Sequence, residues 1–166
     1  MSRGSYDIIN TPSPYGRDGN TPKRGIIHAM GEFIKDDDGT VYSAADWLIR
    51  CGWSAHLLIH PSGDVTRCRR NNQIAWHAKG YNIGTLGAEF LVPGVHDYGT
   101  FIETIKEPYL TDAEYAAGVD IIRREWVEEL NMLRLDRHSD VDPSRKIDPG
   151  DGFPWLQFIK DLGLTI

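Results

Sequence analysis

The segment 137–150, "RHSDVDPSRKIDPG", sets His138, Asp140, Asp142, Lys146 and Asp148 among Pro143, Pro149 and Gly150. His138 and Asp148 lie ten residues apart, with residues between and after them that force turns. Such turns can fold both side chains back toward one point. Imidazole and carboxylate form a zinc-compatible pair, but a catalytic zinc takes three protein ligands and keeps a fourth position open for water. The third donor has to come from His28, His56, His60, His77 or His96. His28 ends the apolar run "GIIH", where a strand opens onto loops. It is either a core imidazole bonded to a backbone carbonyl or a ligand, and the pattern alone does not choose.

Other side chains could serve the same chemistry. Glu89 sits in "GAEFLV", whose apolar neighbours leave it poorly solvated, although a strand glutamate ordinarily faces solvent. Lys146 lies near Asp142, Asp148 and Asp151, where the ordinary reading is a surface ion pair worth under about 1 kcal/mol. Trp76 and His77 occupy a loop and can line a groove, Trp76 offering an apolar face to sugar or peptide; simple packing is the alternative. His96 reads as loop surface, and Trp126 and Trp155 read as core.

These residues need a scaffold, and the chain supplies the signals for one. "RGIIHAM" (24–30) is a buried strand, and "WSAHLLIH" with "DVTRCRR" forms a hairpin around "PSG". "GTLGAEFLV" (84–92) is a further strand whose glycines imply the close approach of a ligand or another backbone. Ser43 and Gly52 bracket a short helix. Thr111 and Glu114 make a capping box for a long helix with Tyr115, Val119, Ile122, Trp126, Leu130 and Leu133 on one face. "FPWLQFIKDLG" is a last amphipathic helix. The expected class is mixed α/β: a central mixed β-sheet flanked by helices. Residues 1–23, rich in Pro, Gly, Ser and Asn, read as an irregular arm packed on a single domain spanning 24–166. Segment 137–150 is then a loop on a rigid scaffold, the usual place for chemistry.

The 18 basic and 24 acidic residues give a net charge of −6, which argues against nucleic acid as the main partner. No apolar run is long enough to span a membrane, and the first residues lack the apolar core of a secretory signal. Cys51 and Cys68 are expected to be free, inert thiols.

In order along the chain, "GIIH", "SAHLLIHPSGDV", "AWHAKGYN", "GAEFL" and "RHSDVDPSRKIDPG" resemble the zinc-dependent N-acetylmuramoyl-L-alanine amidases related to peptidoglycan recognition proteins and amidase-type phage lysozymes. The resemblance runs from about Gly25 to Leu162. It implies one catalytic Zn2+ on His28, His138 and Asp148, with Glu89 and Lys146 as catalytic residues. His56 and His60 match no ligand position of the family and read as structural. Two positions depart from the family pattern: Arg137 stands where glycine is usual, placing a charge at the site's rim, and Ala55 stands where one phage branch has tyrosine, leaving proton handling to Glu89. Trp76, His77 and Arg137 are the expected substrate contacts.

An amide is a poor electrophile, so its hydrolysis near neutral pH calls for a strong nucleophile and a stabilised oxyanion, both of which zinc can supply. The implied activity is hydrolysis of the bond between N-acetylmuramic acid and L-alanine in peptidoglycan. The implied setting is a monomeric phage endolysin, made in the host cytoplasm and reaching the wall once the membrane is opened. A cytosolic amidase recycling anhydro-muropeptides is the alternative, and a non-catalytic peptidoglycan receptor a more distant one.

Overall fold

The computed structural model describes residues 8–165. Among these residues the main sheet has seven strands. β1 (Ile8–Asn10), β6 (Val65–Arg67), β5 (Leu57–Ile59), β8 (Thr85–His96), β3 (Arg24–Lys35) and β4 (Val41–Ser43) lie side by side in that order, and β9 (Leu135–Arg137) also pairs with β3. β3 runs parallel to β8 and β9, β8 parallel to β5, and β5 antiparallel to β6, so the sheet is mixed as expected. β2 (Gly16–Asp18) and β7 (Gln73–Ala75) form a separate antiparallel pair. Residues 8–23 of the expected N-terminal arm are therefore less irregular than their composition suggests, residues 1–7 lying outside the described residues. The buried Arg69 guanidinium donates to the carbonyls of Ser13, Arg17 and Ile74, so that backbone acceptors tie the arm down.

Alternation along the two central strands sorts the interior into two layers. Ile27, Ala29, Ala88 and Phe90 face a core built with α3 (Asp112–Ile122) and α5 (Trp155–Asp161), including Ile121, Ile122 and Phe158. Met30, Leu58 and Leu91 face the other way, against Leu48 of α1 (Ala44–Cys51). By the same two-residue period, His28 and Glu89 belong to the α1 side of the sheet. α1 starts and stops where predicted: the Ser43 side chain accepts from the Asp46 amide, and Gly52 adopts φ 73° at the C-terminus.

The long helix departs from its prediction in two ways. Only half of the capping box forms, because Thr111 accepts from the Glu114 amide while the Glu114 carboxylate turns into the interior. Beyond Ile122 the helix widens into a π-helical segment, Arg123–Glu129, which keeps Trp126 buried against Gly25. Asn131, at φ 54°, then reverses the chain. Leu130 and Leu133 consequently leave the buried face, 38% and 73% exposed, and Met132 fills the interior instead. Trp126 is core and Trp155 packs against that core, as expected. Both cysteines are free, and burial pushes the Cys68 thiol up to about 12.

Candidate metal centre

The site lies at a gap in one edge of the sheet. β9 pairs with β3 only as far as Ile27, and β4 joins the same strand only from Phe33. Between them the Ala29 amide has no strand partner and donates to Asp148 Oδ2 at 3.3 Å. Arg137 ends β9, and His138 opens the single turn α4 (His138–Val141), so the predicted loop begins with a strand end and a helical turn. The chain then folds back on itself. The amides of Arg145 and Lys146 donate to the Asp142 carbonyl, and Ser139 N donates to the Asp148 carbonyl at 3.0 Å. The Tyr109 hydroxyl holds the Pro149 carbonyl at 2.8 Å. These bonds carry Asp148 back beside His138, as the prolines and glycine predict.

His28, His138 and Asp148 are all buried and converge. His28 Nδ1 lies 2.9 Å from His138 Nδ1 and 3.4 Å from Asp148 Oδ2, and His138 Nδ1 lies 3.1 Å from Asp148 Oδ1. Three donors around a tetrahedral zinc at about 2.0–2.1 Å stand about 3.3 Å apart. The donor types and separations therefore fit a zinc ion held by three protein ligands. Burial depresses the pKa of His28, as does the neighbouring His138, against an upward pull from Asp148. Burial disfavours the Asp148 carboxylate, but bonds to His138 and His28 outweigh it and hold the group well below the usual range.

Glu89 comes to the same point by strand register, paired with His28 across β3 and β8. Its Oε1 is 4.0 Å from His28 Nδ1, and its Oε2 is buried without a hydrogen-bond partner among the described residues. Burial raises the Glu89 pKa well above the ordinary value, Asp148 adds to the rise, and the positive charge of Lys146 opposes it. All five residues line a cavity of about 710 Å³ whose walls include Trp47, Trp53 and Trp76, with Tyr98 and Phe101 of α2 (Tyr98–Thr104). Trp53 is 53% exposed, and its position just past the Gly52 helix stop gave no sign that it faces a groove.

The other expected contacts divide. Trp76 lines the cavity, with the Arg17 guanidinium 5.4 Å above its ring. His77 also reaches it, although both of its ring nitrogens are already bonded to the protein. Arg137 is not in the lining: its guanidinium forks onto Asp140 at 2.8 and 3.1 Å and stacks over Trp155. His96 lines the rim, whereas His56 and His60 lie outside, as predicted. Sequence reasoning missed Asn82, whose Oδ1 accepts from both the His77 and Ala78 amides and shapes that wall. Asparagine two residues before a glycine, in "YNIG", was the available signal.

The N-acetylmuramoyl-L-alanine amidase family model matches residues 18–151, most of the chain and every residue of the centre. The chain belongs to this family. It is 32% identical over 114 residues to the 1,6-anhydro-N-acetylmuramyl-L-alanine amidase AmpD of Haemophilus influenzae, covering 66% of this chain and 58% of that protein. The chain thus spans somewhat over half the length of that relative. Its fold matches the N-acetylmuramoyl-L-alanine amidase endolysin LysCS of Clostridium intestinale with a TM-score of 0.69 at 22% identity, covering 98% and 100% of the two chains. It also matches a peptidoglycan recognition protein ectodomain complex bound to tracheal cytotoxin, with a TM-score of 0.62 at 19% identity over 93% and 95%. The amidase and peptidoglycan recognition fold expected from the motifs is the fold observed. Among the described residues, no helix is long and apolar enough to cross a membrane.

Proposed function

We propose that this chain is a zinc-dependent amidase that hydrolyses the bond between the lactyl carbonyl of N-acetylmuramic acid and the amino group of L-alanine. The observation that carries the reading is the buried convergence of His28, His138 and Asp148 beneath an open groove, with Glu89 beside them. Zinc bound there supplies a Lewis acid for the carbonyl and lowers the pKa of water to about 7. Glu89, poorly solvated and 4.0 Å from His28, takes a proton from the attacking water and hands it to the departing nitrogen as the C–N bond breaks. Lys146, whose charge already acts on Glu89, favours the negative charge that develops on the carbonyl oxygen. The groove's tryptophans offer apolar faces to sugar and peptide.

Two settings use this chemistry. Likeness to an endolysin fold over 98% of this chain supports a phage enzyme acting on intact wall, and the net charge of −6 suits a partner other than nucleic acid. Identity to AmpD supports a recycling amidase acting on soluble anhydro-muropeptides. Mass spectrometry of digests of intact sacculi and of soluble anhydro-muropeptides tests both. Either substrate should gain free L-alanine amino termini and no new reducing sugar ends. New reducing ends would mean a glycosidase and overturn the reading, while the faster substrate identifies the setting.

A further inference from the structure

The loop that carries His77 is closed by its own polar groups, and they dictate where protons sit. Thr85 Oγ1 lies 2.7 Å from the Tyr81 carbonyl and 3.1 Å from that of Asn82. Carbonyls only accept, so the single hydroxyl proton of Thr85 points at one of them. Thr85 Oγ1 must then accept from His77 Nε2, 2.9 Å away. With its proton on Nε2, neutral His77 presents a lone pair at Nδ1, which lies 2.9 Å from His28 Nε2. That nitrogen of His28 must be the donor. His28 Nδ1 is left bare, aimed at His138 and Asp148.

Two further features hold the ring in place. Asn82 Oδ1 binds the His77 and Ala78 amides at 2.9 and 2.7 Å. On β8, a Cβ at Gly87 would stand 2.4 Å from His77 Nδ1, so glycine there makes room for the imidazole. The close approach that the strand glycines imply is thus that of a side chain. His138 has no such support, since its Nε2 is buried without a hydrogen-bond partner among the described residues.

We infer that His77 is a positioning residue: through the relay Tyr81 carbonyl, Thr85, His77, it holds His28 as the Nε2–H tautomer with Nδ1 free for the metal. The inference rests on the metal reading proposed above, and two measurements keep the failures apart. In the chelator-stripped wild-type protein at about pH 8, where histidines are neutral, long-range 1H–15N spectra should show both His28 and His77 protonated at Nε2. A His28 protonated at Nδ1 overturns the inference, whatever zinc does. Zn2+ titrated against a fluorescent chelator should bind His77→Phe about 10–100-fold more weakly than wild type, the usual cost of losing such a partner. His77→Asn, which keeps an acceptor near the place of Nδ1, should recover most of that loss. Wild-type Zn2+ affinity in a folded His77→Phe also overturns the inference. If His77→Phe does not fold, the wild-type spectrum and His77→Asn decide. A wild-type chain that binds no Zn2+ defeats the metal centre itself, and the spectrum still tests the tautomer.

Discussion

His28 on β3 and the residue just before β5, His56, flank β8 on one face of the sheet, and both meet the ring of His77, at centroid separations of 5.1 and 5.9 Å. Their nitrogens have opposite fates. His56 Nδ1 accepts from the Gly87 amide at 3.0 Å and its Nε2 donates to the Gln73 carbonyl at 2.7 Å, so main chain saturates the ring. His28 spends one nitrogen on His77 and turns the other toward a second imidazole and two carboxylates. A buried histidine with both nitrogens bonded to backbone is a structural part, because no lone pair remains for a ligand. One whose free nitrogen faces other donor atoms can hold a cation.

Removing a convergent nitrogen tests this contrast most severely. His138→Ala should lose bound zinc and fall to background activity, whereas His56→Gln should keep full zinc stoichiometry by elemental analysis. A zinc-replete His138→Ala protein would falsify the ligand set. Next in size, Glu89→Gln keeps shape but removes the proposed base, so turnover should drop about 100-fold or more with zinc content and melting temperature near wild type. A loss that merely tracks missing zinc would sink the catalytic role of Glu89. Lys146→Met should lower turnover much more than substrate affinity, since the role proposed for its charge lies in the transition state; steady-state kinetics separate the two.

Smaller effects test the structural side of the contrast through pH. Burial pushes His56 down to about 4, against the pull of the Gln73 carbonyl, so the folded state holds it neutral. Its contribution is intact above the unfolded value of about 6.5 and is lost as pH falls from there toward 4, amounting to about 3 kcal/mol. Urea unfolding of wild type should therefore weaken more between pH 7 and 4 than that of His56→Gln. Equal acid losses would remove His56 from the account.

Glu114 is the control for Glu89: a buried glutamate on α3, outside the cavity lining, raised to about 9 by burial. The folded state favours its protonated form, so its cost grows as pH rises from about 4.5. Glu114→Gln should gain stability relative to wild type by about 4 kcal/mol between pH 5 and 8. A gain that does not change with pH would mean the carboxyl is charged throughout.

Much of this was legible in sequence because it is local. The alternation in "GIIHAM" and "GAEFL" made strands, Ser43 and Gly52 bounded α1, and the turn residues around His138 and Asp148 brought those two together. Their donor types suit a metal, and the family motifs pointed to His28 as the third donor. Tertiary structure decided the rest. The π-helical turn that withdraws Leu130 and Leu133 from the core depends on how Trp126 meets Gly25, a contact no helical period encodes. Arg137 faces Asp140 and Trp155, and only packing could choose those partners over the groove. Whether an imidazole binds a metal or a carbonyl is set by what lies about 3 Å from each nitrogen. For His28 those neighbours are His77 and His138, 49 and 110 residues away along the chain. Sequence specifies which donors exist; the direction each lone pair faces belongs to the folded sheet edge.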